Sequence, residues 1–94
     1  MTPKDIAGHA VALFGPECQQ LIAIEEMSEL VVSMTHLRRG RGEARAVVEE
    51  IADVCLAMES LKHVFGYDKV QEILMEKTNR LNRHILVNKD KING

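Results

Sequence analysis

The sequence contains no tryptophan, one tyrosine and two phenylalanines. No aromatic cluster can therefore anchor its core, and few rings are available to stack on a ligand. Cysteine is also scarce: Cys18 and Cys55 sit among apolar residues without metal-ligand spacing. That excludes a disulfide scaffold and a cysteine zinc site, and leaves both as expected core fillers in a reducing compartment. Neither sign of charge dominates, with a net charge of −2 and a pI near 6.1, so there is no general electrostatic ground for a nucleic-acid or anionic-membrane partner. The N-terminus lacks a charged-then-apolar leader, and no apolar run approaches membrane-spanning length. The chain reads as soluble and cytoplasmic.

What is present is aliphatic. Hydrophobic residues make up 46% of the 94 positions, and they are chiefly Leu, Ile, Val, Met and Ala, the residues of helix packing. A chain of this length forms one domain, 1–94. Domains this small bury only about 60–65% of the surface of the unfolded chain, so the core is thin and association is favoured.

Four helical segments follow from three- and four-residue spacing, and no alternating run competes as a strand. Thr2 as N-cap and Pro3 at the first helical position start a short helix with Ile6, Ala10 and Leu13 on its face, ended by "FGPE". The second runs from Pro16 to about Arg39 with Ala23, Met27, Leu30, Met34 and Leu37 as its seam, and Gly40 and Gly42 break it. The third spans about Glu43 to Phe65 with Val47, Ile51, Val54, Met58, Leu61 and Phe65 as its seam, and Gly66 stops it. Asp68 is expected to cap a fourth helix carrying Val70, Leu74, Leu81 and Ile85, followed by a frayed tail over 88–94. The fold class is therefore all-α, an antiparallel bundle of about four helices.

Acids border both long seams. "AIEEMSEL" places Glu25, Glu26 and Glu29 on the second helix, and "VVEEIADV" places Glu49, Glu50 and Asp53 on the third. Residues three or four apart share a helix face. Antiparallel packing through the short glycine-containing loop would thus gather Glu26, Glu29, Glu50 and Asp53. Four carboxylates at one place repel unless a divalent cation lies between them. Glu-x-x-Glu pairs are ordinarily solvated faces, but one pair on each long helix, both bordering a seam, keeps a metal site open beside that reading. All-oxygen donors suit Mg²⁺, Mn²⁺ or Ca²⁺. A di-iron centre would require Glu-x-x-His, whereas His36 and His63 each follow a serine at that spacing.

The fourth helix carries the opposite sign. Lys77 falls within its apolar stripe, with Arg80 and His84 as neighbours at helical spacing. Lys77 can snorkel to water; alternatively, Lys77 and Arg80 bind phosphates as point charge and planar fork. The loop "HLRRGRGEAR" reads as a solvated arginine-rich connection, with a lid over phosphates as the alternative.

"EEMSEL" followed by "EEIADV" resembles the Glu-Glu-x-x-Glu and Glu-x-x-Asp signature of the all-α, MazG-like nucleoside triphosphate pyrophosphohydrolases. The similarity runs from "LFGPECQQLIAIEEMSEL" to "EKTNRLNR" and is nearest to the short single-domain forms of phage and prophage. The resemblance implies Mg²⁺-dependent cleavage of a nucleoside triphosphate between its α- and β-phosphates, with Mn²⁺ as an alternative cofactor. It further implies that Glu26, Glu29, Glu50 and Asp53 hold the metal and that Glu25 orients or deprotonates the attacking water. Lys77 and Arg80 would contact the phosphates, Gln19 the nucleotide. A homo-dimer or homo-tetramer is also implied. Two alternatives stand beside this reading: a phosphoribosyl-ATP pyrophosphohydrolase, and a non-catalytic metal-binding helical module.

Overall fold

A computed structural model describes the backbone of residues 1–93 and the side chains of residues 1–89. Four helices follow one another: α1 (Pro3–Phe14), α2 (Pro16–Arg38), α3 (Ala44–Phe65) and α4 (Tyr67–Asn93), with no strand among the described residues. The chain divides into two units, Met1–Val64 and Phe65–Gly94. No helix among the described residues is long and apolar enough to cross a membrane.

Local chemistry accounts for the breaks. Thr2 caps α1 reciprocally with Asp5: the Asp5 amide donates to Thr2 Oγ1 at 3.1 Å and the Thr2 amide to Asp5 Oδ2 at 3.3 Å. This satisfies two donors that a helix start leaves free. The charge-favouring bonds from Thr2 hold the Asp5 carboxyl below its ordinary range. Between α1 and α2 the chain turns at one residue, Gly15, whose φ of 92° lies in the region that side chains avoid. Pro16 then opens α2, where its missing N–H costs nothing.

Within the first unit, α2 and α3 run antiparallel: Glu26 lies level with Glu50, and Gln19 lines the same cavity as Ser60 two turns further along. α1 is tied to α3 by His63, whose Nε2 hydrogen-bonds the Lys4 carbonyl at 2.8 Å. The imidazole occupies the space above Gly8, where a Cβ would stand 3.3 Å from the ring.

The faces follow the sequence reading in part. Among the described residues the buried apolar side chains are alanines, Ala7, Ala23 and Ala57, and the other buried side chains are Gln19 and Ser60. On α2 the inward line runs Gln19, Ala23, Glu26, Leu30, with Ala23 and Leu30 as expected; on α3 the expected seam residues Val47, Val54, Met58 and Leu61 are half-buried beside Glu50, Ala57 and Ser60. Leu13, expected on the α1 face, is 77% exposed, and the expected seam residues Met27, Met34, Ile51 and Phe65 are exposed too. Cys18 and Cys55 are exposed rather than core fillers. Cys18 precedes Gln19 by one residue and Cys55 precedes Ala57 by two, so a 100° step per residue turns both off the inward line.

The second unit is α4 alone. It begins at Tyr67, so Asp68 lies in the first turn rather than at the cap, where its charge still complements the helix dipole. The helix extends to Asn93 through most of the expected frayed tail; Gly94 lies outside the described residues. The Asn88 side-chain amide donates to the His84 carbonyl at 2.8 Å within this stretch.

Candidate functional site

The acids converge because Glu26 and Glu50 lie on the inward lines of α2 and α3 and Glu29 borders that of α2. Glu26 and Glu29 are one turn apart on α2, and Glu50 faces them from α3. One carboxylate oxygen from each of the three lies within 4.8 Å of the others. Hard cations with oxygen ligands at roughly 2.0–2.6 Å span such a set. Glu26 and Glu50 are half-buried while Glu29 is exposed, so the cluster has a closed side and an open side.

Electrostatics mark the site as incomplete without a cation or protons. Glu26 Oε2 and Glu50 Oε2 are both buried without a hydrogen-bond partner. Loss of water, then repulsion from Glu29, Asp53 and Glu50, raises the Glu26 carboxyl above the ordinary glutamate value of 4.5. Loss of water, then Glu29 and Asp53, raises Glu50 in the same direction. Glu29 adds to both shifts a second way, because a proton on either carboxyl could be shared with it. The donor set fits a hard divalent ion: all-oxygen, anionic, with two lone-pair-bearing atoms unmet.

A pH dependence follows. Between the ordinary glutamate value and the raised native ones, the folded chain holds more protons than the unfolded chain, so stability without metal falls as pH rises. Mg²⁺ competes with those protons, so its stabilisation grows over the same interval. Thermal melts at pH 5 and pH 8, with and without Mg²⁺, are expected to give a larger Mg²⁺-induced rise in Tm at pH 8. Equal rises at both values would rule out these carboxylates as the binding groups.

Asp53 is exposed and lies beside the three glutamates, close enough to repel Glu26 and Glu50. It contributes no oxygen to the convergent set. Glu25 is exposed on α2 and also outside that set, since a step of one residue turns it about 100° from Glu26. Lys77 and Arg80 are exposed one turn apart on α4, in the second unit.

Beside the acids is a cavity of about 170 Å³ lined by all three helices of the first unit. Glu26 and Asp53 line it together with Gln19 and Ser60, and its apolar wall includes Ile6, Ile22 and Leu56. Gln19 thus lies in the same concavity as two of the acids. Ser60 is the residue that sequence reasoning missed as a site residue. The available signal was its position seven residues after Asp53 and three after Ala57, on one α3 face.

Compared with family models, curated proteins and solved structures, the chain gives no match.

Proposed function

We propose that the chain is a Mg²⁺-dependent nucleoside triphosphate pyrophosphohydrolase, releasing a nucleoside monophosphate and pyrophosphate, in the manner of the MazG-like enzymes that its acidic motifs resemble. The observation that carries this reading is the convergence of Glu26, Glu29 and Glu50 with two buried, unpartnered oxygens at the edge of a cavity. A purely solvated acidic face would leave no carboxylate oxygen buried without a partner. The protein would work in nucleotide-pool cleansing.

In this reading Glu26, Glu29 and Glu50 hold the ion, and Asp53 adds a fourth carboxylate from the next α3 turn. Mg²⁺ bound there supplies neutralisation of phosphate charge and Lewis acidity. Glu25, outside the ligand set, is the residue that the resemblance assigns to orienting the attacking water and accepting its proton. The residues that the resemblance assigns to the phosphates are Lys77 and Arg80 of the second unit. No serine, cysteine or histidine nucleophile is required, because water is the attacking group. Mn²⁺ satisfies the same donor set.

We also place the working protein in a homo-oligomer. Ile24 and Val31 of α2 and Val48 of α3 are exposed, and among the described residues no large side chain is fully buried. Apolar surface of that extent on a short chain calls for a partner surface.

The test is an assay with Mg²⁺ and a panel of ribo- and deoxyribonucleoside triphosphates, read by phosphorus NMR. Pyrophosphate with monophosphate is expected. Orthophosphate with diphosphate would replace the reading by a phosphatase. Absence of product from the panel, with turnover of phosphoribosyl-ATP, would assign the histidine-pathway reaction. Stabilisation by Mg²⁺ with no turnover of either would leave a binding module.

A further inference from the structure

Two polar residues of the first unit, Gln19 and Ser60, line the same cavity while being only 6% and 4% exposed. What accessibility they keep is therefore toward that cavity, where an amide and a hydroxyl can pair with a bound group. Their common surroundings are otherwise aliphatic: Ile6, Ala7, Ile22, Leu56 and Ala57 contribute to the same lining. Aliphatic walls with a small number of polar groups are the usual make-up of a small-molecule site.

Size limits what enters. The cavity measures about 170 Å³, whereas pockets that enclose a whole drug-sized ligand run to roughly 300–1,000 Å³. Only a fragment of a nucleotide is accommodated. An apolar cavity of about 150 Å³ holds one benzene ring, so this one seats a single six-membered ring with its exocyclic atoms, and the second ring of a purine would stand outside it. The Gln19 amide offers a donor beside an acceptor. That pair matches the C=O and N–H edge of uracil or thymine, and after a 180° flip it matches the ring nitrogen and amino group of cytosine. The Ser60 hydroxyl donates or accepts as needed. Glu26 and Asp53 line the same cavity, and Glu26 also supplies one of the three convergent oxygens. A ring seated here leaves the sugar and phosphates of the same molecule next to the acids.

We propose that this cavity is a slot for a pyrimidine base, with Gln19 and Ser60 reading its polar edge, so that the enzyme prefers pyrimidine to purine triphosphates. The proposal rests on the triphosphate hydrolysis proposed above and deepens it to a substrate class.

The experiment compares kcat/KM of the Mg²⁺-loaded full chain for dCTP, dTTP, dUTP, CTP and UTP with those for dATP, dGTP, ATP and GTP. The same preparation is titrated calorimetrically with CMP, UMP, AMP and GMP. At least one pyrimidine triphosphate is expected to exceed every purine by about tenfold or more, the scale of discrimination by shape in a small pocket. Ala57→Leu fills the slot and is expected to raise the pyrimidine KM about tenfold. Gln19→Leu removes the amide while keeping its bulk and is expected to bring the pyrimidine-to-purine ratio below about threefold. Helical content by circular dichroism qualifies each variant, and either one suffices. Purine turnover equal to or faster than pyrimidine turnover would overturn the slot and leave the hydrolase standing. Absence of hydrolysis with tight, selective CMP or UMP binding would overturn the hydrolase and support the slot. Unchanged pyrimidine KM and ratio in a folded variant would overturn the slot.

Discussion

Glu50→Gln is expected to lower kcat/KM by roughly 10²–10³-fold, the scale on which removal of a preorganised charge-stabilising group acts, while leaving the chain folded. Glu50 faces Glu26 and Glu29 from the opposite helix, so the substitution removes the α3 contribution to the convergent oxygens. The amide is nearly the same size as the carboxylate but carries no charge, and Mg²⁺ binds amides far more weakly. Repulsion among the remaining acids also falls, since burial and the charges of Glu29 and Asp53 both oppose ionisation at this position. The metal-free Tm at neutral pH is therefore expected to rise as activity disappears. An inactive variant that is less stable without metal would indicate a structural role. Activity within threefold of the parent would remove Glu50 from the site. Glu25→Gln provides the contrast, because a water-orienting residue outside the ligand set lowers kcat while Mg²⁺ affinity stays near that of the parent.

The helix boundaries were legible because each rests on short-range chemistry. Thr2 with Pro3, Gly15 with Pro16, the Gly40 and Gly42 pair and Gly66 each interrupt or start a helix for reasons contained within a few residues. The grouping of Glu26, Glu29 and Glu50 was legible for a similar reason, since helical spacing and a short loop leave few ways to pair α2 with α3. The exposure of Leu13, Met27, Met34, Ile51 and Phe65 was not. Periodicity weights large apolar residues, whereas the inward lines here use Ala7, Ala23 and Ala57. Small side chains let helix axes approach closely, and large ones are then turned outward. A single sequence does not distinguish an apolar stripe that closes its own core from one that meets another surface. Ser60 was missed on the same account, because a serine three residues after a buried alanine acquires meaning only once that alanine is known to face inward.

Val31→Glu is expected to dissociate the proposed homo-oligomer and to lower Tm by about 10 °C or more. Leu21, Ile24, Ser28, Val31 and Thr35 recur at three- and four-residue intervals along α2, the spacing of a helix-packing seam. Leu21, Ile24 and Val31 are 62%, 56% and 63% exposed. The two polar members do not oppose burial: Ser28 Oγ donates to the Ile24 carbonyl and Thr35 Oγ1 to the Val31 carbonyl, each at 2.8 Å. Their hydroxyl donors are already met within the helix, so an apolar partner surface leaves neither unpaired. The chain's own core consists of alanines and half-buried aliphatics, a thin core for a domain of this size. In the proposed homo-oligomer folding would be coupled to association, and Tm is expected to rise with protein concentration. A glutamate at position 31 would bury an unpaired charge at the centre of the seam. In a domain of this size each 1 kcal/mol lost shifts Tm by about 4–8 °C. Light scattering at micromolar concentration is expected to give at least twice the chain mass of 10.6 kDa for the parent and the single-chain mass for the variant. A parent at 10.6 kDa with a concentration-independent Tm would show that this stripe is solvated.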